Sequence, residues 1–248
     1  MRNTILLLSL LVSFIDLNAQ AWTDVGLKLG GGVSYLYNSN IESNNIYNPK
    51  PFKSGSYNIG AKAGINIGEH HSLNGEVMFS SMKKLFVYKT GLGELDSDNE
   101  IKWTNIDLYL LYRHYREGSF LEIGVMRSNV RKVEQTDVPA GLLNEVDVSN
   151  FYESGYWSGV LGTGTFIAGS DRFTVMLGIR MHVGLTDFVS EAGHNNIDPF
   201  PNSNVSGSTA IERVNTMPIL VEFMSEFNFG LGFFAKTVCS GRVKWFGS

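Results

Sequence analysis

The chain has 248 residues, enough for one large all-β domain. Its formal net charge is -4, from 20 Lys and Arg against 24 Asp and Glu, which excludes a nucleic-acid-binding surface of the usual basic kind. Cys239 is its single cysteine, so a disulfide framework and a Cys-based metal site are excluded too.

The N-terminus reads as a secretory signal. Arg2 is the positive end, Thr4 to Ile15 the apolar run, and Asn18-Ala19-Gln20 a plausible cleavage point. Cleavage after Ala19 is predicted, leaving 20–248 as the mature domain. The run is too short for a transmembrane helix, and no later segment is apolar enough for one. Any membrane span must then be built from strands.

The first strand is predicted over Asp24 to Tyr37, with Val25, Leu27, Leu29, Val33, Tyr35 and Tyr37 on one face. Asn38 to Ser54 is a long polar loop. Gly55 to Gly68 is the second strand, with Tyr57, Ile59, Ala61, Ala63, Ile65 and Ile67 opposite Asn58, Lys62 and Asn66. A tight turn at Glu69 to Ser72 leads to the third strand, Leu73 to Val87. There Val77 and Phe79 continue the apolar face while Asn74, Glu76 and Ser80 face the other way. Tyr88 to Glu100 is a polar loop.

The fourth strand is predicted over Ile101 to Tyr115, with Ile106, Leu108, Leu110 and Tyr112 opposite Asp107, Tyr109 and Arg113. Ile101 and Trp103 are in the other phase, which predicts a bulge near Thr104. After a turn at Arg116 to Ser119, the fifth strand covers Phe120 to Val130, and Arg131 to Phe151 is a long loop. The sixth strand runs from Tyr152 to Ala168, its alternation blurred by Gly159, Gly162 and Gly164.

The clearest pattern is Arg172 to Asp187. Phe173, Val175, Leu177, Ile179, Met181, Val183 and Leu185 are apolar, and Arg172, Thr174, Gly178, Arg180, His182, Gly184 and Thr186 are polar or small. Period-2 alternation of this length suits the roughly 9–11 residues with which a tilted strand crosses a bilayer. Val189 to Val214 is the longest loop, and Asn215 to Phe229 the eighth strand, with Glu222 and Glu226 on its polar face. In the tail, Ala235 to Val238 and Arg242 to Phe246 pair across Cys239-Ser240-Gly241, either extending the last strand or raising the count to ten.

Long and short connections alternate through the whole chain. An up-and-down antiparallel transmembrane β-barrel of eight strands has this asymmetry, with long outer loops and short periplasmic turns. Tyr35, Tyr37, Tyr57, Trp103, Tyr112, Tyr156 and Trp157 fall towards strand ends and are expected to form interfacial girdles.

The patterns of Val25–Tyr37, Ile106–Tyr112 and above all Arg180–Asp187 (RMHVGLTD) resemble the outer-membrane β-barrels of Bacteroidetes, the group that includes PorT-like proteins and small OmpA-type barrels. The resemblance covers about Asp24 to Phe229 and implies an eight-stranded barrel in the outer membrane. It implies no reaction.

The inward set is predicted to be Lys28, Lys62, Glu76, Asp107, Arg113, Glu122, Arg172, Arg180, His182, Glu222 and Glu226. So small a barrel is filled by its own side chains, and charges in a dry lumen must be paired. A salt-bridged plug is therefore expected, in a non-enzymatic barrel that anchors, assists assembly or export, or binds partners. The alternatives are a small channel, a lipid hydrolase built on His182 and Glu222, and a soluble lipocalin-like barrel with its oily face inside. No serine in a recognisable setting completes a hydrolase trio. His70-His71 beside Glu69 and His194 with Asp198 read as solvated turn and loop, so no metal and no cofactor are expected. The expected partners are outer-membrane lipid and a protein reached through the outer loops or periplasmic turns.

Overall fold

Alternating side chains fold this chain into a closed antiparallel barrel of eight strands. The structure is a computed structural model that describes residues 21–39, 47–49, 54–88, 97–138, 146–170, 172–195, 214–237 and 243–245. The expected signal peptide lies outside the described residues. The strands are β1 (Ala21–Tyr37), β2 (Gly55–Ile67), β3 (His71–Tyr88), β4 (Ser97–Arg116), β5 (Ser119–Val138), β6 (Gly155–Ser170), β7 (Phe173–Gly184) and β8 (Met217–Thr237). Each pairs with the next, and β8 returns to β1 along Ala21–Tyr37, so the sheet has no open edge.

The burial pattern fixes which face is which. Every strand presents an exposed apolar side chain: Leu27, Ile59, Phe79, Leu110, Ile123, Leu161, Ile179 and Phe223, from β1 to β8 in turn. Phe223 is 70% exposed and Leu27 60%. An oily belt that closes round the whole molecule has no place in water, and it matches the lipid-facing band of a membrane barrel. The buried face carries the charges. That arrangement is the reverse of a lipocalin, and it overturns the soluble-barrel alternative.

One end of the barrel is made of short turns. Glu117 and Gly118 both have positive φ, the geometry that a two-residue hairpin turn needs to match the strand twist. The other end carries the longer connections and is more extensively stranded than the sequence implied. β5 continues through Arg131 to Val138, where a loop was expected, and pairs with the early start of β4 at Ser97. The polar residues there obscure the alternation because beyond the belt an outward side chain need not be apolar. β7, by contrast, ends at Gly184, and Leu185 to Asp187 leave the sheet.

The expected irregularity near Thr104 is present, but its cause differs. Thr104 faces Lys132 and Asn105 faces Val130, so the extra residue is Arg131 on β5. β4 itself keeps one phase from Ile101 to Arg113. Ile101 and Trp103 point inward with Asp107 because the lumen there is apolar. The tail pairs Ala235 with Trp245 and Thr237 with Val243, which extends β8 beyond the barrel and leaves eight strands in the closed sheet.

Glycines on the inward face provide room. A Cβ on Gly162 would meet Glu122 Oε1 at 2.6 Å. Gly162 and Gly164 therefore leave space that the Glu122 and Phe120 side chains of β5 occupy, whereas a Cβ on Gly159 would meet nothing.

Candidate functional site

Six strands contribute to one closed ring of charges in the lumen. Arg113 of β4 grips Glu226 of β8 through two parallel bonds, both 2.9 Å, and reaches Glu122 of β5 at 2.8 Å. Glu122 offers its other oxygen to Arg180 Nε of β7 at 2.7 Å. Arg180 in turn grips Glu76 of β3 at 2.9 and 3.1 Å. Lys28 of β1 closes the circuit, 2.7 Å from Glu76 and 3.2 Å from Glu226. Three cations thus alternate with three carboxylates, and the side chains of all six are almost wholly buried. Charges so deeply desolvated are tolerable only when each is matched and hydrogen-bonded, and the two arginines supply paired N–H donors in the fork geometry that a carboxylate accepts.

Lys62 extends the ring towards the turn end. It lies 2.7 Å from Glu226 and 3.5 Å from Asp24. Asn228 donates to Glu226 from the same side at 2.8 Å. Below them a cavity of about 370 Å³ opens at the turn end, lined in part by Trp22, Asp24, Asn66, Tyr115 and Asn228.

Two further carboxylates lie towards the loop end. Glu222 accepts from Asn58 and faces His182 Nε2 at 3.0 Å. Asp107 accepts from the Ser80 and Ser128 hydroxyls, both at 2.6 Å. Their partners are thus neutral hydroxyls, an amide and an imidazole. Ser158 shares a void of about 10 Å³ with His182, room for no more than a single water.

Above this layer the lumen turns apolar. Trp103, Tyr152 and Tyr156 surround Phe188, with ring centroids 5.5, 4.8 and 5.4 Å from it. Met82, Ile101, Val133, Val148 and Val189 complete the cap. Phe188 reaches its place because Asp187 organises the chain beside it. One oxygen of Asp187 accepts from the Val189 and Thr216 amides, and the other faces His194 Nε2 at 2.8 Å. Backbone bonds from Phe188 to Thr216 and from Glu153 to Phe188 fasten the segment across the barrel end. A short helix α1 (Glu191–Asn195) follows, its first turn capped by Ser190.

Ten of the eleven residues assigned to the lumen lie inside the barrel: Lys28, Lys62, Glu76, Asp107, Arg113, Glu122, Arg180, His182, Glu222 and Glu226. Arg172 does not. Its phase is right, but it falls in the turn before β7 and is exposed. Two aromatics expected in the outer girdle are inside as well, since Trp103 is 0% and Tyr156 1% exposed. Tyr37, Tyr57, Tyr112 and Trp157 do face outward. Phe188 carried no signal, being a lone aromatic between Asp187 and Val189 in a non-periodic stretch. Trp103 had one, since it shares the phase of Asp107 and Arg113 on β4.

The histidines of the turn end stay at the surface. His71 Nδ1 lies 2.6 Å from the Tyr112 hydroxyl, and His70 Nδ1 lies 3.2 Å from the Tyr115 carbonyl. His194 is matched with Asp187, whereas Asp198 lies outside the described residues. Among the described residues no group of three or more His, Cys, Asp or Glu is arranged to hold a metal.

No family model matches the chain, and no curated protein matches it. Among solved structures it is similar in fold to the outer membrane protein OprG from Pseudomonas aeruginosa, at 10% identity over 86% of this chain and 97% of that one, with a TM-score of 0.42. It is similar also to Ail, the attachment invasion locus protein of Yersinia pestis, at 9% identity over 85% and 99% with a TM-score of 0.37. The outer membrane protease OmpT from Escherichia coli is similar at 8% identity over 88% and 98%, with a TM-score of 0.39. These are likenesses of architecture. The barrel itself is established by the chain's own closed pairing from β1 to β8.

Proposed function

We propose that this chain is an outer-membrane barrel whose lumen is a structural plug, and that it works through its surfaces as an anchor or interaction module. The observation that carries the reading is the pairing of the closed ion ring with the apolar cap above it. An ion entering from the loop end would have to displace Phe188 and then break bidentate arginine pairs. The reading includes export and cleavage after Ala19, with the loop end facing outward. It includes also a place among the PorT-like Bacteroidetes barrels, on the strand patterns of Val25–Tyr37 and Arg180–Asp187.

The same packing argues against chemistry in the lumen. His182, Glu222 and Ser158 adjoin one another, but they are buried and the void beside them holds no lipid chain. Replacing His182 with alanine is expected to leave lipid turnover by the membrane unchanged.

Conductance tests the proposal. Wild-type protein refolded into planar bilayers is expected to give no discrete current steps. Steps whose size responds to Glu222→Gln or Arg180→Lys would overturn the plug and make the protein a small channel.

A further inference from the structure

Twelve lysines and arginines have described side chains, and their placement is lopsided. Lys28, Lys62, Arg113 and Arg180 are in the lumen, and Lys84 is buried over the Tyr35 ring. Arg116 and Arg172 belong to the turn end. Of the other five, Lys83, Lys102, Arg131 and Lys132 are on the loop-end halves of three adjacent strands, β3, β4 and β5, and Arg127 is near the middle of β5. The rest of the loop-end rim presents residues such as Tyr37, Tyr57, Trp157 and Leu185, with no cation among the described residues.

These five charges face outward. The side chains of Lys83, Lys102 and Lys132 are 43%, 41% and 51% exposed, and Arg131 is exposed as well. Lys83 and Lys102 sit directly opposite each other in register, a like-charge pair that destabilises a sheet unless negative charge lies near. Glu100 answers Lys83 at 3.4 Å, and Glu134 is shared, pairing with Lys132 through one oxygen and lying 3.6 Å from Lys102 through the other. Asp147 is close to Lys132, and the Ser149 hydroxyl and amide hold its carboxyl below the usual carboxylate range. With Glu153, exposed beside β5, the described cations there outnumber the described carboxylates by five to four.

Depth identifies what could meet them. Lys83 is four residues beyond the lipid-facing Phe79, Lys102 four beyond Ile106, and Arg127 two beyond the lipid-facing Val125. At about 3.3 Å per residue and a tilt of about 45°, the charges stand roughly 5–15 Å above the last belt residues. That is the level of lipid headgroups. Arg127 also lies 5.6 Å from the ring of Trp157, an outward aromatic of the kind that settles at this interface.

We propose that the outer wall of β3 to β5 binds the phosphate groups of lipids in the outer leaflet. The proposal rests on the outer-membrane reading above and adds a ligand class and an orientation to it. Bound lipid would gather on one side of the barrel and leave the opposite wall to other neighbours.

The test uses the mature protein refolded in phosphatidylcholine vesicles that also contain a phosphorylated glycolipid or its dephosphorylated counterpart. Folding is read first, by the heat-dependent shift of the band in SDS. Lipid retained after transfer to detergent is then measured by native mass spectrometry, for the wild type and for Lys83→Gln/Lys102→Gln/Arg127→Gln. The wild type is expected to retain the phosphorylated lipid preferentially. The triple variant is expected to fold normally and retain it about fivefold less per cation removed, on the order of a hundredfold in all. Equal retention of the two lipids by folded wild type, or by wild type and variant, would overturn the proposal. Failure to fold in any vesicle would instead overturn the membrane reading, and this proposal with it.

Discussion

Replacing Arg180 with methionine is expected to destabilise the barrel by about 3–5 kcal/mol, the range for breaking a buried ion pair by removing one partner. Methionine keeps much of the side-chain volume, so the loss is mainly electrostatic. Glu76 loses its bidentate partner and keeps Lys28, and Glu122 loses the Nε bond and keeps Arg113. Two carboxylates, both fully buried, are then under-matched. Lysine at 180 should recover only part of the loss, because one ammonium cannot serve both the Glu76 fork and the Glu122 oxygen. Adding Glu76→Gln to Arg180→Met should recover part of it as well, by removing one stranded charge. Urea unfolding in vesicles measures each variant, and Arg172→Met is the control, expected within about 0.5 kcal/mol of wild type because Arg172 is exposed. An Arg180→Met protein as stable as that control would mean that the ring contributes nothing to holding the barrel closed.

The contrast between Arg180 and Arg172 shows what a sequence can carry. Both fall on the polar phase of the same alternating stretch, and phase alone cannot say where the strand begins. Period-2 patterning made the face of each residue legible, because lipid on one side and a filled lumen on the other leave no mixed solution. All six members of the ring could therefore be named. Their circuit could not, because Arg113 meets Glu226 across 113 residues and only the register of non-neighbouring strands decides that meeting. The rule that polar residues face inward also has a limited reach. It holds at the level of the ring and fails towards the loop end, where Trp103 and Tyr156 form the cap with Phe188. Trp103 therefore looked like a change of phase when it was a change of lumen chemistry. Gly162 misled for a related reason, since it records the size of Glu122 on the next strand.

Placing alanine at Gly32 is expected to abolish closure of the barrel. Gly32 lies on β1 at the seam, opposite Glu222 of β8. A Cβ there would stand 2.0 Å from the Val221 carbonyl oxygen and 2.6 Å from the Glu222 Cα, so the two backbones would have to part. Parting them leaves ladder hydrogen bonds unmade inside the bilayer, where each costs several kcal/mol. It also moves Glu222 away from Asn58 and His182. Gly31 supplies the control, because a Cβ on it would meet nothing nearer than the Ser56 carbonyl oxygen at 3.7 Å. Gly31→Ala should therefore refold in vesicles and keep the heat-dependent shift in SDS, and Gly32→Ala should not. Circular dichroism separates a failed seam from a failed fold. Pairings between consecutive strands close short loops, whereas β1 and β8 meet across most of the chain, the contact with the greatest entropic cost. Gly32→Ala should accordingly retain much of its strand signal while losing the compact, SDS-resistant species. A compact Gly32→Ala protein would mean that the seam relaxes around the methyl group, and equal damage from Gly31→Ala would mean that the segment's flexibility, and not the close approach at 32, is what closure needs.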